Sequence, residues 1–339
     1  MRKALYFALV LFILVAVALT FGALHVQRWV HEPLAGLQEP VAYELPKGTS
    51  MRALARDLAA RGIVERPRAW EFWARYTGAA SQLRAGEYAL TPGLTPDQLL
   101  QLFTSGEVLL HSLTIIEGTN IRDVRAALAR NTSLRSVTAQ MTNEQLMAAL
   151  GAANVHPEGQ FFPDTYRFPR DTTDLDLLKI AHRRMQTELA ARWSQRAPDL
   201  PLASSYEALI LASIVEKETA LERERPLIAG VFVQRLRRGM RLQTDPTVIY
   251  GLQEAYDGNI RRADLTRDTP YNTYTRAGLP PSPIAMVGAA SLDAAVRPQA
   301  TEALFFVATG EPDGSHYFSR TNDEHQAAVQ RYLRKLRRR

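Results

Sequence analysis

Residues Leu211-Ala-Ser-Ile-Val-Glu-Lys-Glu-Thr219 carry the pattern most suggestive of chemistry, an apolar helical run that ends in two carboxylates flanking a lysine. Ser204 and Glu207 stand three apart just before it, the spacing of a capping box, which predicts a helix starting near Tyr206. Ile210, Leu211, Ile214 and Val215 recur at helical spacing and predict a buried stripe. Glu218 lies four residues past Ile214 and three past Val215, so it extends that stripe, whereas Glu216 points roughly 160° away on helix geometry. One carboxylate is thus aimed toward the core, at a helix C-terminus whose partial negative charge disfavours ionisation. Burial and dipole both raise a carboxyl pKa, as a general acid working near neutral pH requires. The same string also reads as ordinary solvated helix surface, and Lys217, Arg223 and Arg225 are cations that would pull the pKa back down.

Other catalytic patterns are missing. The seven histidines are scattered, with no His-x-x-x-His or Glu-x-x-His spacing, and there is no cysteine, so neither a metal site nor a cofactor is expected. The absence of cysteine also removes disulfides, a thiol nucleophile and an acylated lipoprotein anchor. No Gly-x-Ser-x-Gly elbow and no glycine-rich phosphate loop is present. A carboxylic acid on a helix, with loops rich in Asn, Gln, Thr, Tyr and Pro, fits polysaccharide chemistry, in which a protonated carboxyl donates to the leaving oxygen. Hydrolysis normally needs a second carboxylate, and Asp245 and Asp164 are available, although both flank prolines in ways that suit turn capping. A lytic route needs one acid/base, because the sugar's own 6-hydroxyl attacks the anomeric carbon.

The elements that position this stretch belong to a chain of 339 residues, long enough for two or three domains. With 46% hydrophobic and 22% charged residues it is not disordered. A net charge of +6, much of it in the tail Arg331-Tyr-Leu-Arg-Lys-Leu-Arg-Arg-Arg339, points to an anionic setting: nucleic acid, a membrane or a cell-wall polymer. The N-terminus decides between them. Ala4 to Val26 is nearly unbroken apolar sequence, long enough to cross a bilayer, and Arg2 and Lys3 before it place the N-terminus in the cytoplasm. No small-x-small cleavage site closes the run, so an uncleaved anchor is expected rather than a removed signal peptide. The body is then extracytoplasmic, and nucleic acid is not expected as a partner.

Residues 27–42 are polar, include Pro33 and read as a stem. Helices are expected after Ser50 and from Pro67 to Tyr76, a strand over Gly86 to Leu90, and a helix carrying Leu99, Leu100, Leu102 and Phe103. Ile116-Glu-Gly-Thr-Asn-Ile-Arg-Asp-Val124 echoes Pro46-Lys-Gly-Thr-Ser-Met-Arg-Ala-Leu54, a weak internal repeat. Strand-helix-helix-strand modules of this kind resemble LysM-type glycan-binding units, although Gly-Thr-Ser is also plain turn and cap chemistry. Helix is expected from Ser133 to Gly151 and from Asp174 to Arg192, and the aromatic, proline-rich stretch Pro157 to Tyr166 reads as a hinge or a cleft wall. Pro226 opens another helix, Leu304 to Ala308 and His316 to Ser319 make a hairpin, and Asn322 caps a last helix with Val329, Tyr332, Leu333 and Leu336 inward.

Ser213-Ile-Val-Glu-Lys-Glu-Thr219, Met240-Arg-Leu-Gln-Thr-Asp-Pro-Thr-Val-Ile-Tyr-Gly251, Ala263-Asp-Leu265, Tyr271-Asn-Thr-Tyr274 and Gly278-Leu-Pro-Pro281 together resemble the MltG (YceG-like) family of endolytic murein transglycosylases. The resemblance covers nearly the whole chain, including the single anchor and the Phe162-Pro-Asp-Thr165 loop, and is loose over Arg130 to His156. It implies a lyase of the inner membrane with a periplasmic body that cuts nascent peptidoglycan strands between N-acetylmuramic acid and N-acetylglucosamine, leaves 1,6-anhydro-muramoyl ends and stops elongation. It also implies a membrane-bound peptidoglycan synthase as partner and Glu218 as the catalytic residue. Gln243, Thr244, Asp245, Tyr250, Asn272, Thr273 and Tyr274 are expected to line the cleft, and Glu216 to be a surface or supporting residue. Each of these cleft candidates also suits a turn without any ligand.

The expected fold is α+β: a cytoplasmic tip over residues 1–3, a transmembrane helix over 4–26, a stem over 27–42, a LysM-like module over 43–110, a linking α/β subdomain over 111–155 and a mixed α+β catalytic domain over 156–339. Two rivals stand beside this reading: a lysozyme-like hydrolase using Asp245 or Asp164, and a tethered glycan-binding scaffold without activity.

Overall fold

Arg2–Trp29 form one continuous helix, α1, the first element of a computed structural model that describes residues 2–337. Met1, part of the expected tip, and Arg338 and Arg339 of the basic tail lie outside the described residues. Within α1, Leu9–Trp29 has the length and the mean hydropathy, 2.6, to cross a membrane. The helix continues past the end of the apolar run to Trp29. The chain divides into two units, residues 2–111 with 168–170 and residues 112–167 with 171–337.

In the first unit, β1 (Val41–Leu45) pairs antiparallel with β2 (Gly86–Leu90), with Tyr43 opposite Tyr88. Between them lie α2 (Met51–Ala60), capped by the Ser50 hydroxyl, and α3 (Pro67–Tyr76), which starts on its proline. After β2 comes α4 (Pro96–Ser105), opened by a Thr95–Gln98 capping box. Phe103 is the hub of this core: Tyr88, Tyr43 and Trp70 meet it edge to face at 4.9, 5.7 and 6.4 Å. Trp70 Nε1 donates to the Pro96 carbonyl at 2.8 Å, so its one polar atom is satisfied inside the core. In the stretch 27–42, expected to be a stem, Trp29, Val30, Leu34 and Leu37 are buried in this same core. Gly36 must be glycine, since a Cβ there would stand 1.7 Å from the Gly62 carbonyl oxygen.

The chain continues through β3 (Leu110–Thr114), α5 (Ile121–Arg130), α6 (Asn143–Ala149) and β4 (Thr165–Pro169), with β3 and β4 forming a second two-stranded sheet. The second unit then gathers α7 (Asp174–Ser194), α8 (Ser205–Glu218), α9 (Arg225–Arg237), α10 (Asp245–Leu252), α11 (Arg262–Thr266) and α12 (Ala289–Val296). A hairpin of β5 (Phe305–Ala308) and β6 (His316–Ser319) and the last helix, α13 (Asn322–Leu336), complete it. The fold is mixed α+β.

The centre of this unit is α8. Every residue from Ala208 to Val215 is buried, so the expected stripe is in fact a whole cylinder, enclosed by α7, α9, α10 and α12. Small residues permit this: Ser213 is fully buried, donates to the Ile210 carbonyl at 2.7 Å and accepts the Ile284 amide at 3.0 Å. Two other expectations change. Residues 133–142 are not helical, because buried groups hold their backbone instead: Asp174 accepts the amides of Val137 and Thr138, and Arg125 donates to the carbonyls of Thr138 and Met141. In α13 the N-cap is Thr321 rather than Asn322, Ala328 is the buried residue, and Leu333 and Leu336 remain 38% and 45% exposed.

Phe103→Ala should destabilise the first unit by about 3–5 kcal/mol, since three aromatic neighbours lose their shared contact and the cavity is walled by strands and helices that cannot collapse. Urea unfolding followed by tryptophan fluorescence from Trp70 and Trp73 measures it.

Candidate active site

Helix α8 is set by Ser204, whose hydroxyl accepts the Glu207 amide at 3.3 Å, and it stops at Glu218 because Thr219 turns to extended backbone. Glu218 therefore lies on the last turn of the most enclosed helix. Two cavities meet there. One, of about 490 Å³, is lined by Arg235, Gln243, Thr244, Asp245 and Tyr274 together with residues of β5 and α13. The other, of about 650 Å³, is lined by Glu117, Thr119, Asp123, Lys217 and Arg225. Among the described residues Glu218 alone belongs to both linings.

Glu218 keeps part of its surface open to these cavities while its carboxyl is enclosed. Burial pushes the pKa of that carboxyl up; the Thr244 hydroxyl, which donates to Oε1, opposes the shift, and the Asp245 charge adds to it. His316 and Arg235 act on Glu218 in the lowering direction, and both effects are smaller than burial. Lys217, Arg223 and Arg225 are engaged elsewhere: Lys217 with the Gly118 carbonyl at 3.0 Å, Arg223 with Asp313 at 2.9 Å and Arg225 with Glu216 at 3.0 Å. Oε2 of Glu218 makes no hydrogen bond among the described residues.

Glu216 is not a surface residue. Its side chain is 4% exposed, pairs with Arg225 and accepts the Gly288 amide at 3.0 Å. Its pairing with Arg225 and the Gly288 amide encloses it, while Lys217 next to it is the exposed residue of that turn. Gly288 is held to glycine by the same cluster, since a Cβ would stand 2.0 Å from Oε1 of Glu117.

The expected cleft residues separate into two groups. Gln243, Thr244, Asp245 and Tyr274 line the first cavity with Glu218. Tyr250, Asn272 and Thr273 line neither cavity and hold the loops in place. Asn272 Nδ2 donates to the carbonyls of Asp264, Leu265 and Arg267, and its Oδ1 accepts the Tyr274 amide at 2.9 Å. Thr273 offers its carbonyl to the Gln243 amide and its hydroxyl oxygen to the Thr244 amide, both at 3.1 Å, while Gln243 adopts a left-handed φ of 51°. These bonds fix Thr244 under Glu218. Tyr274 donates to Asp245 at 2.6 Å. Tyr250 instead packs on Tyr271 and donates to Glu158 at 3.1 Å.

Asp164 is ion-paired with Arg184 and lines neither cavity, so of the two candidate second carboxylates Asp245 is the one placed beside Glu218. The residues that sequence reasoning missed are Arg235, Phe305, His325 and their neighbours on the far wall. One signal for them was available: Arg235 lies three residues past Phe232 and four past Val231, on the apolar face of its helix.

A carboxyl whose pKa is raised by burial, at a helix end and shared by two polar cavities, is an arrangement that suits general-acid chemistry on an extended substrate. More narrowly, the chain belongs to the YceG-like family, whose model matches residues 43–331. It is similar to the endolytic murein transglycosylase of Bacillus subtilis strain 168, 33% identical over 311 residues that cover 86% of this chain and 85% of that protein. It is also similar to the protein of the same name from Streptococcus pneumoniae serotype 2 strain D39, 27% identical over 88% of this chain and 59% of the relative. The crystal structure of a yceG-like protein from Listeria monocytogenes, 29% identical, matches with a TM-score of 0.56 over 85% of this chain and 99% of that one.

Thr244→Val should move the basic limb of the pH–rate profile upward, because the lost hydrogen bond favoured the ionised carboxyl and the protonated form persists to higher pH without it. Initial rates on glycan strands from pH 5 to 9 measure it. Glu158 gives a stability test. It is fully buried, accepts the Ile121 amide at the start of α5 as well as the Tyr250 hydroxyl, and burial pushes its pKa from the usual 4.5 up to about 7. A carboxyl raised in the folded state contributes stability that is present below its unfolded pKa and lost as pH rises through the folded one. Wild type should therefore lose about 3 kcal/mol relative to Glu158→Gln between pH 4.5 and 7. Paired urea titrations of the two proteins measure the difference.

Proposed function

We propose that this protein is an endolytic murein transglycosylase, a carbon–oxygen lyase that cuts peptidoglycan strands between N-acetylmuramic acid and N-acetylglucosamine and leaves 1,6-anhydro-muramoyl ends. The observation that carries the reading is the enclosed carboxyl of Glu218 at the junction of two polar cavities, one on each side of it. Family membership supports the same reaction class.

In this mechanism the Thr244 hydroxyl occupies Oε1 and leaves Oε2 to carry the proton. Glu218 gives that proton to the glycosidic oxygen as the bond from the muramoyl anomeric carbon breaks, through an oxocarbenium-like state. The resulting carboxylate takes the proton of the muramoyl 6-hydroxyl as its oxygen closes on the anomeric carbon. One bond breaks, one forms, the proton returns to Glu218 and no water is consumed. Gln243 and Tyr274 offer amide and phenol groups to the sugar on one side, and Thr119 and Lys217 offer theirs on the other.

The rest of the proposal concerns placement. Helix α1 anchors the chain in the inner membrane, N-terminus inside, and keeps the catalytic body in the periplasm. The β1-α2-α3-β2 module of the first unit serves as a LysM-like glycan holder. Cutting a strand during its synthesis ends its elongation and requires a membrane-bound peptidoglycan synthase nearby.

Glu218→Gln keeps the shape and removes the proton, and should lower the rate of anhydro-end formation by at least about 10²–10⁴-fold. Mass spectrometry of the ends released from purified strands reads the outcome, and full activity in this variant would remove Glu218 from the mechanism. Ends heavier by one water would instead assign hydrolysis, with Asp245 as the second carboxylate.

A further inference from the structure

Arg235 is a cation that the cleft does not neutralise. It is 7% exposed, on the buried face of α9. Its Nε donates to the Leu304 carbonyl at 2.7 Å, and its Nη1 to the carbonyls of Arg241 at 3.2 Å and Leu242 at 2.7 Å and to the Gln243 side-chain oxygen at 3.4 Å. All four acceptors are neutral. Nη2 donates to nothing, and the guanidinium makes no ion pair, among the described residues. A buried charge in this condition is unfavourable unless an anion completes it.

The surroundings suit an anion. The guanidinium lies 5.2 Å from the centre of the Phe305 ring, and Phe305 stacks on His325 at 5.2 Å. Burial first and Arg235 second push the His325 pKa down, and its Nδ1 is buried without a partner. The other ionisable groups facing this wall are Glu218, whose carboxyl is raised, Tyr274, and Asp245, which accepts the Tyr274 hydroxyl. Neither Glu218, which accepts from Thr244, nor Asp245, which accepts from Tyr274, is hydrogen-bonded or ion-paired to the guanidinium among the described residues. Its unengaged Nη2 has two N–H groups left to donate to a carboxylate, beside the Phe305 ring.

We infer that Arg235, walled by Phe305 and His325, is a specificity-determining residue that binds a carboxylate on the peptide branch of the muramoyl sugar. The inference rests on the reading of the cleft as a murein site, since the glycan backbone itself is neutral and its anionic groups lie on the peptide branches. Arg235 touches no reacting atom in this scheme and sets which strands are seated well.

The test compares strands carrying free peptide carboxylates with the same strands after conversion of those carboxylates to amides, using the full-length protein in detergent. For wild type, kcat/KM should be about 10- to 100-fold higher on the carboxylate strands, with the difference in KM. In Arg235→Gln the ratio should fall to near one, and in Arg235→Lys it should lie between. Equal cutting of both strands by wild type, or an undiminished preference in Arg235→Gln, overturns the inference. Because Arg235 also ties three carbonyls together, Arg235→Gln could unfold; equilibrium binding of an acidic muramoyl-peptide and its amide to Glu218→Gln then decides, with about 10-fold tighter binding of the acid expected and equal binding overturning it. Failure of the murein reading is seen separately, as absence of cutting of either strand, and the binding comparison still reports on Arg235.

Discussion

The enclosure of α8 is the constraint on which the rest of the catalytic unit depends. A helix buried on every side can end in a carboxylate only if that carboxylate is paired or kept protonated. Both solutions occur within one turn: Glu216 is paired with Arg225 and the Gly288 amide, and Glu218 has its pKa raised by burial. The separation is useful because Glu216 draws Arg225 away from Glu218, and Asp313 does the same for Arg223. Two of the nearby cations thus have other partners, and Arg235 is the guanidinium left acting on Glu218, more weakly than burial does.

Thr244 sets the limit on the other side. Its hydroxyl donates to Glu218 and so favours ionisation, against burial. The position of Thr244 is not its own: Thr273, Asn272 and the left-handed turn at Gln243 hold it. Residues that touch nothing in the cleft therefore govern the acid through one hydroxyl. Pre-organisation of this kind makes a loop behave like part of the core.

Much of this was legible in the sequence because it rests on local chemistry. The Ser204 cap, the proline start of α3 and the β5–β6 hairpin follow from spacing and turn residues. What periodicity could not reveal was that α8 is buried all round, since a stripe of Ile and Leu looks alike whether the opposite face is solvated or covered by Ala and Ser against another helix. Asn272 and Thr273 were read as cleft residues for the same reason that they are loop residues: amides and hydroxyls serve a backbone as well as a sugar. The helix expected over 133–142 failed because Asp174, far along the chain, collects those amides. Arg235 was marked only by its place on an apolar helix face, and its meeting with His325 needed the tertiary fold, which brings α9 and α13 to one wall.

The way α1 ends has a mechanical consequence. Trp29, in its last turn, and Val30, directly after it, are packed into the first unit's core, and the Val30 carbonyl accepts the Asp97 amide at 3.0 Å. There is no slack between a helix long enough to span a bilayer and the module that follows it. In the anchored arrangement proposed above, the pair would move as one lever: a tilt of the helix in a bilayer would become a swing of the module above the surface, and the height of the module would be set by helix length rather than by the fluctuating reach of a flexible leash.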